Sequence, residues 1–217
     1  TRNRAESLRE TLEHLAAQQT QEQFTYEVVV VDNGSTDRTR RLVTERRVDF
    51  PVPLRYVYEP QVGRPAALNA GIRVAQGTMV AITDDDVLVS PGWLSAFWSC
   101  FQQEQADAVA GKVTPLWPAA RPAWLTGEVQ GYLNQMGIGC GDRGGSRLRS
   151  WQGQHCQGVG GNMAIRREAI GRIGLFDVRL VRGQDAEYYD RCVRSRLRVV
   201  YEPSAAAAHK ISTERLS

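Results

Sequence analysis

Short apolar runs alternate with amphipathic segments along the first half of the chain. The run from Val28 to Val31 is apolar at every position, which is typical of a strand buried on both faces of a parallel sheet. A helix is predicted before it, because Leu8, Leu12 and Leu15 recur on one helical face. Predicted strands and helices alternate in this way through residue 114. This order predicts an α/β fold with a mostly parallel central sheet and helices on both faces.

The second half of the chain has less pattern. Residues 115–161 show no sustained periodicity, and a loop of this length inside a compact domain is usually functional or mobile. After it, "GGNMAIRREAIGRIGLFD" predicts a short strand and a helix, "GQDAEYYDRCVRSR" predicts a helix, and "LRVVYEP" predicts a last strand. We therefore expect an irregular segment inside an otherwise regular α/β domain.

Composition narrows the class of protein. The 217 residues, of which 42% are hydrophobic and 24% charged, are enough for one sizeable core. The net charge of +3 comes from scattered residues, so it gives little support for nucleic-acid binding. No apolar run approaches the roughly 20 residues that span a bilayer, and no signal peptide is evident. The four cysteines show no metal-ligand spacing, which predicts free thiols and a cytoplasmic protein.

The predicted strand "TMVAIT" ends in three consecutive acids, Asp84, Asp85 and Asp86. Adjacent carboxylates repel one another, and burying an unpaired one costs of order several kcal/mol. Ligands of α/β sheets bind beyond the carboxyl ends of the strands, and Asp32 marks a second acidic strand end. Such carboxylates suit Mg²⁺ or Mn²⁺, which also hold substrate phosphates. A solvated acidic turn is the alternative, and the buried strand and Asp32 favour the ligand site.

Four motifs occur in a fixed order along nearly the whole chain. They are "VVVVDNGSTDRT", "GRPAALNAGIRVAQGTMVAITDDDV", "GGNMAIRREAIGRIGLFD" and "GQDAEYYDRC". Their order and spacing resemble those of family 2 glycosyltransferases, whose fold is the Rossmann-like GT-A fold. In that family the first strand ends in a P-T-x-N-R loop. "TRNR" at Thr1 is similar to the end of that loop, so we expect the first strand of the family to be missing from this sequence.

The resemblance implies roles for the acids at the strand ends. Asp32 matches an acid that binds the nucleotide base, and Arg64 matches a basic residue that also faces the nucleotide. Asp84 to Asp86 match the DxD motif, in which the first acid reaches the ribose and the last holds a divalent cation on the diphosphate. Thr1, Asp32, Arg64, Asp84 and Asp85 are thus the implied nucleotide-sugar-binding residues, and Asp84, Asp86 and His209 are the implied ligands of Mn²⁺ or Mg²⁺. His209 as a structural histidine remains an alternative.

The resemblance also implies a catalytic base. Asp185 matches the acid that takes the acceptor proton in inverting members, although an acid in a first helical turn is also favoured by the helix dipole alone. Glu187 and Asp190 are nearby alternatives for the base, but each is predicted to lie on a solvated helix face. In "GVGGN" the glycines bring backbone close to the acceptor or form a turn or bulge. The Q-x-x-R-W motif of processive members is absent after Asp185, which predicts a non-processive enzyme.

The implied reaction moves a sugar from a UDP- or GDP-linked donor to an acceptor hydroxyl. Residues 1–114 would form the nucleotide-sugar-binding half, and residues 115–217 the acceptor-binding and catalytic-base half, of one GT-A domain. The acceptor is a glycan, a lipid-linked molecule or a small molecule, and peripheral contact with the inner face of the membrane is left open. A sugar-phosphate nucleotidyltransferase and a non-catalytic module that binds a sugar nucleotide or glycan are the alternative functions.

Overall fold

The computed structural model describes residues 1–117, 126–127, 148–149 and 160–211. Most of the irregular segment predicted at 115–161 therefore lies outside the described residues, as do its cysteines, Cys140 and Cys156.

The helices and strands predicted from the apolar pattern are all present. The helices are α1 Ala5–Ala16, α2 Thr39–Arg46, α3 Arg64–Val74, α4 Trp93–Glu104, α5 Arg167–Ile173 and α6 Gln184–Arg194. The strands are β1 Val28–Asp32, β2 Leu54–Tyr58, β3 Met79–Thr83, β4 Val87–Val89, β5 Ala108–Leu116, β6 Leu148–Arg149, β7 Asn162–Arg166 and β8 Val199–Lys210. The pattern did not predict β4 and β6, because strands of three and two residues are too short for a periodic signal.

The strands form a small sheet and a larger mixed sheet. β1 pairs with β2 in parallel. The larger sheet has the order β3-β7-β5-β8-β4, with β6 also paired to β8. Within it β5 and β8 run parallel and the other pairs are antiparallel. The α/β class is confirmed, but the sheet is mixed where a mostly parallel one was expected. An apolar run reports burial on both faces of a strand, and it does not determine strand direction.

Helices cover the larger sheet from both sides, and each side has its own apolar cluster. Leu12 of α1 and Phe101 of α4 belong to the first cluster. Ile170 of α5 and Tyr188 of α6 belong to the second. Val109 of β5 contributes to the first cluster and both its neighbours contribute to the second, as alternation along a strand requires. Helices on both faces are thus observed, as predicted.

The facing edges of the two sheets are separated by a cavity of about 1140 Å³, which β1 and β3 both line. Thr1 lies along the edge of β1 that has no strand partner among the described residues: its main-chain nitrogen donates to the Val31 carbonyl at 2.9 Å. The Asn33 N–H donates to the Thr1 carbonyl, also at 2.9 Å. These contacts do not test the first strand that the resemblance predicts. That strand stays a prediction.

Candidate active site

Asp84, Asp85 and Asp86 form the short turn between β3 and β4, and arginines offset their mutual repulsion. Asp84 Oδ1 accepts hydrogen bonds from Arg64 Nε at 3.2 Å and Nη2 at 2.9 Å. Arg4 Nη1 donates to Asp85 Oδ1 at 3.2 Å and to Asp86 Oδ2 at 2.8 Å. Hydrogen bonds between ionised partners are stronger than neutral ones, so these contacts stabilise the acidic turn. Both arginines precede the turn in the sequence: Arg4 is the N-cap residue of α1, and Arg64 is the first residue of α3.

Strand pairing places His209 beside this turn. His209 lies in β8 and is the register partner of Val87, the first residue of β4. Its Nε2 is 3.3 Å from Asp86 Oδ1. The structure therefore brings together two of the three predicted metal ligands, Asp86 and His209. The third, Asp84, makes its ion pair with Arg64 at the other end of the turn.

Two consecutive glycines connect the acidic turn to Asp185. The Gly160 N–H donates to Asp185 Oδ2 at 2.9 Å. A Cβ on Gly160 would lie 2.8 Å from both Asp185 Oδ2 and Arg64 Nη1, and a Cβ on Gly161 would lie 2.8 Å from Asp84 Oδ2. Such distances are shorter than real Cβ atoms allow. The backbone at this point must lack side chains so that Asp84, Arg64 and Asp185 can converge on it.

A buried amide fixes the strand that follows the glycines. Asn162 is fully buried at the start of β7, and its Oδ1 accepts a hydrogen bond of 2.7 Å from Trp93 Nε1. Its Nδ2 donates to the carbonyls of Lys112 at 2.8 Å and Ala205 at 2.9 Å. The β5–β8 register shifts between Gly111 and Lys112, and the amide bonds carbonyls on both strands beside this irregularity. Asn162 thus holds the glycine pair against β5 and β8.

We expect Asn162→Ala to lower the free energy of unfolding by about 3 kcal/mol, because it leaves buried polar groups without a hydrogen-bond partner. Denaturant unfolding measures this. Gln103→Ala, on the exposed face of α4, should change the free energy by less than about 0.5 kcal/mol. Equal stability of Asn162→Ala and the wild type would show that the amide does not stabilise this junction.

Asp32 is buried, with 1% of its surface exposed, at the carboxyl end of β1. Its Oδ1 accepts the Ser35 N–H at 2.8 Å, and its Oδ2 accepts the Tyr56 hydroxyl at 2.7 Å. Burial, together with the hydrogen bond to Asp32, raises the pKa of Tyr56 to about 12. Tyr56 therefore stays protonated near neutral pH and remains a donor. Each carboxylate oxygen can accept one more hydrogen bond. The bonds from Ser35 and Tyr56 are therefore compatible with the predicted role of Asp32 in binding the nucleotide base.

Asn33 links the end of β1 to the start of α3. Its Nδ2 donates to the carbonyls of Glu59 at 3.0 Å and Gln61 at 2.7 Å, and its Oδ1 accepts the Gly63 N–H at 2.8 Å. Gly63 has a φ of 141°, a conformation that favours glycine, and directly precedes Arg64. Asn33 thereby positions Arg64 toward the acidic turn. The apolar pattern does not indicate this role, because Asn33 and Gly63 are 30 positions apart along the chain.

Two threonines of the cavity wall, Thr1 and Thr83, have hydroxyls without a hydrogen-bond partner among the described residues. Thr1 Oγ1 and Thr83 Oγ1 are buried and have no hydrogen-bond partner in the described part of the chain. The wall that contains them also includes Arg64, the three acids and His209. Buried polar atoms are nearly always hydrogen-bonded in native proteins. Among the described residues, these two hydroxyls are therefore unsatisfied polar atoms next to the cavity.

Helix α6 carries three acids in different environments. Asp185 contacts Gly160, and its Oδ1 also accepts the Ala186 N–H at 3.1 Å. Glu187 pairs with Arg191 at 2.6 Å, and that arginine also binds the carbonyls at the end of α5. Asp190 pairs with the exposed Arg194. Glu187 and Asp190 thus have structural partners on the helix, and Asp185 is the acid that reaches the glycine pair.

The chain matches the model of the family Glycosyl transferase family 2 over residues 1–174. This chain belongs to that family. It is 29% identical over 194 residues to the succinoglycan biosynthesis protein ExoM of Rhizobium meliloti, covering 76% of this chain and 62% of that protein. It is 28% identical over 225 residues to a glucosyl-dolichyl phosphate glucuronosyltransferase of Haloferax volcanii, covering 96% of this chain and 66% of that protein. The family 2 chain thus spans less than two thirds of the length of these curated relatives.

Solved structures of glycosyltransferases share the fold. S. aureus TarS 1–349 in complex with UDP superposes with a TM-score of 0.72 at 18% identity, covering 100% of this chain and 60% of that one. The mannosyltransferase PcManGT from Pyrobaculum calidifontis, in complex with GDP-Man and Mn²⁺, has a TM-score of 0.69 at 22% identity, covering 98% of this chain and 55% of that one. The GT-A fold that the sequence motifs predicted is confirmed.

Proposed function

We propose that this chain transfers a sugar from a nucleoside-diphosphate-sugar to an acceptor hydroxyl, with inversion at the anomeric carbon and one addition per acceptor. The observation that carries the proposal is the convergence at Gly160 and Gly161. Asp185 and Asp84 come from distant parts of the chain, and here they contact two consecutive residues. A single displacement needs both a base for the acceptor hydroxyl and a site for the leaving diphosphate, and this arrangement supplies a candidate for each.

The donor half is proposed to comprise residues 1–114, with Thr1, Asp32, Arg64, Asp84 and Asp85 as binding residues. Arg64 offers a guanidinium beside the acidic turn, and a guanidinium suits phosphate oxygens. Thr1, whose hydroxyl has no hydrogen-bond partner in the part of the chain that the structure describes, lies on the same cavity wall. TarS has been solved with UDP and PcManGT with GDP-Man. These observations support a UDP- or GDP-linked donor.

A divalent cation, Mn²⁺ or Mg²⁺, fits the residues of the acidic turn. Among the described residues no three acidic, histidine or cysteine side chains form a ready metal cluster. Such cations, however, are commonly bound by one or two protein groups and complete their shell with substrate phosphates and water. Asp86 and His209, 3.3 Å apart, would hold the cation with Asp84. When bound, it would neutralise charge on the leaving diphosphate. PcManGT was solved with Mn²⁺.

Asp185 is the proposed catalytic base of the acceptor half, residues 115–217. The Gly160 and Ala186 N–H groups fix its carboxylate with one hydrogen bond to each oxygen. Each carboxylate oxygen has two acceptor sites, so a further site on each remains for the proton of an acceptor hydroxyl. An acceptor hydroxyl has a pKa far above neutrality and needs such a base as it attacks. No covalent sugar intermediate is required.

We expect Gly160→Ala to lower the rate of sugar transfer about 100-fold. The added methyl group would press against Asp185 and Arg64, and a displacement of about 1 Å of catalytic groups can cost this much. The rate should be measured at saturating donor on folded protein. Gly92→Ala is the matched control, because a Cβ there meets no atom within 4 Å. A normal rate for Gly160→Ala would mean that Asp185 and Arg64 need not be held by this contact.

Product analysis separates this function from its alternatives. The protein is incubated with UDP- and GDP-linked sugars and Mn²⁺. Release of free nucleoside diphosphate supports transfer, with slow hydrolysis when no acceptor is present. Pyrophosphate release from a nucleoside triphosphate and a sugar phosphate would indicate a nucleotidyltransferase. Binding without turnover would indicate a non-catalytic module.

The proposed acceptor is a glycan, a lipid-linked molecule or a small molecule, and the proposed location is cytoplasmic, with contact at the inner face of the membrane left open. In the described ranges no helix is both long and apolar enough to cross a membrane. Transfer assays with soluble and lipid-linked hydroxyl acceptors would separate the acceptor classes.

A further inference from the structure

Arg4 forms ion pairs with two of the three acids in the turn. Its Nη1 contacts Asp85 Oδ1 at 3.2 Å and Asp86 Oδ2 at 2.8 Å. The two carboxylates are 10% and 15% exposed, whereas the arginine side chain is 47% exposed. Carboxylates with so little solvent need a positive partner. Arg4 supplies that charge from within the chain, on a long side chain that has solvent on one side.

The main chain of the turn is held independently of the Arg4 side chain. The hydroxyls of Ser7 and Thr11 in α1 donate to the Asp85 carbonyl at 2.8 and 2.9 Å. On the other side, the Lys210 N–H donates to the Asp86 carbonyl at 2.8 Å. The guanidinium of Arg4 can therefore leave the carboxylates without releasing the turn from α1 or β8.

Arg4 and a divalent cation would share one carboxylate. Asp86 presents Oδ2 to Arg4 and Oδ1 to His209, and the proposed cation lies with Asp86 and His209. Two positive charges on one carboxylate repel each other strongly where solvent is restricted. A diphosphate brings new acceptor oxygens to the same place, and a guanidinium suits phosphate.

We propose that Arg4 competes with the divalent cation for Asp86, and moves from the carboxylates to the donor diphosphate when cation and donor bind together. The inference rests on the proposed donor and metal site. It makes Arg4 a positioning and donor-binding residue that also neutralises the turn. Removing the Arg4 charge should therefore strengthen the binding of the cation alone and weaken the binding of the donor nucleotide.

The experiment is calorimetric titration of Arg4→Met and wild type. Mn²⁺ alone should bind Arg4→Met about 10-fold more tightly than wild type, a usual size for coupling between two ligands. UDP or GDP at saturating Mn²⁺ should bind Arg4→Met about 10-fold more weakly. Unchanged or weaker binding of Mn²⁺ alone, or unchanged nucleotide binding, overturns the proposal.

Two further variants test charge against packing. Arg4→Lys keeps the charge, so its affinity for Mn²⁺ alone should stay within about 3-fold of the wild-type affinity. This is a smaller change than the roughly 10-fold gain expected for Arg4→Met. Arg9→Met removes the same charge from α1, where Arg9 pairs with Glu6 and Glu13, and should leave both affinities near wild type. If Arg4 only stabilised the fold, Arg4→Met would lower the melting temperature equally with and without Mn²⁺ and would show no gain in metal affinity.

Failure of this inference can be told apart from failure of the proposed function. Nucleoside diphosphate release from the donor is followed in parallel, with Mn²⁺ and with a chelator. Release by wild type without any Mn²⁺ binding would contradict the role of Arg4 while leaving sugar transfer intact. Mn²⁺ binding with the predicted Arg4→Met gain, but no release from any donor, would support Arg4 as the competing cation and count against the transfer reaction.

Discussion

Replacing Asp185 with Asn is expected to lower the rate of sugar transfer by about two to four orders of magnitude while leaving donor affinity near wild type. Asparagine keeps the shape of the side chain and can still accept the Gly160 N–H, but it cannot take a proton from the acceptor hydroxyl. The measurement is single-turnover transfer with pre-bound donor, so that binding and chemistry are separated. Donor affinity is measured on the same protein by calorimetry.

Asp190→Asn is the matched control for Asp185→Asn. Both positions lie on α6, and the Asp190 carboxylate pairs with the exposed Arg194 rather than with the glycine backbone. Glu187→Gln is a poorer control, because Glu187 holds Arg191 against the carbonyls at the end of α5. A near-normal transfer rate in Asp185→Asn would remove Asp185 as the base. A loss of equal size in Asp190→Asn would indicate damage to the helix instead.

The strand ends could be predicted from the sequence because their signal is local. An apolar run followed by Asp84 to Asp86 identifies a buried strand and its exposed end within a few residues. The same holds for Asp32 after four valines. Asp185 had no such signal, since an acid in a first helical turn is common, and only the order of four motifs indicated a catalytic position.

The partners of these residues could not be predicted, because periodicity reports which face is buried and not which side chains meet. Arg4 and Asp86 are 82 positions apart, and Asn162 reaches Trp93 across 69. Gly160 and Gly161 were read as close backbone or as a turn, and the structure shows them in contact with the site. Local periodicity does not show which distant strands pair with each other. That pairing also decides that the larger sheet is mixed rather than mostly parallel.

Asp86→Asn is expected to abolish the gain in nucleotide affinity that Mn²⁺ provides. The Asp86 carboxylate is the group that His209 and Arg4 both contact, so it would hold the cation directly. Removing one partner of a buried charge pair costs about 2–5 kcal/mol, which corresponds to a loss of about 30-fold or more in Mn²⁺-dependent affinity for UDP or GDP. Calorimetric titration of the nucleotide, with Mn²⁺ and with a chelator, measures the difference.

The fold should survive this change, which makes the result interpretable. The main chain at Asp86 is held by the Lys210 N–H and does not depend on the carboxylate. Arg4 is half exposed, so solvent can take over when it loses one ion pair, and the free energy of unfolding should fall by about 1 kcal/mol or less. Asp49→Asn, in an exposed loop away from the acidic turn, is the control and should retain the full effect of Mn²⁺. If Asp86→Asn also kept that effect, the cation would have to be held by other residues, and neither the assignment of Asp86 nor the competition with Arg4 would stand.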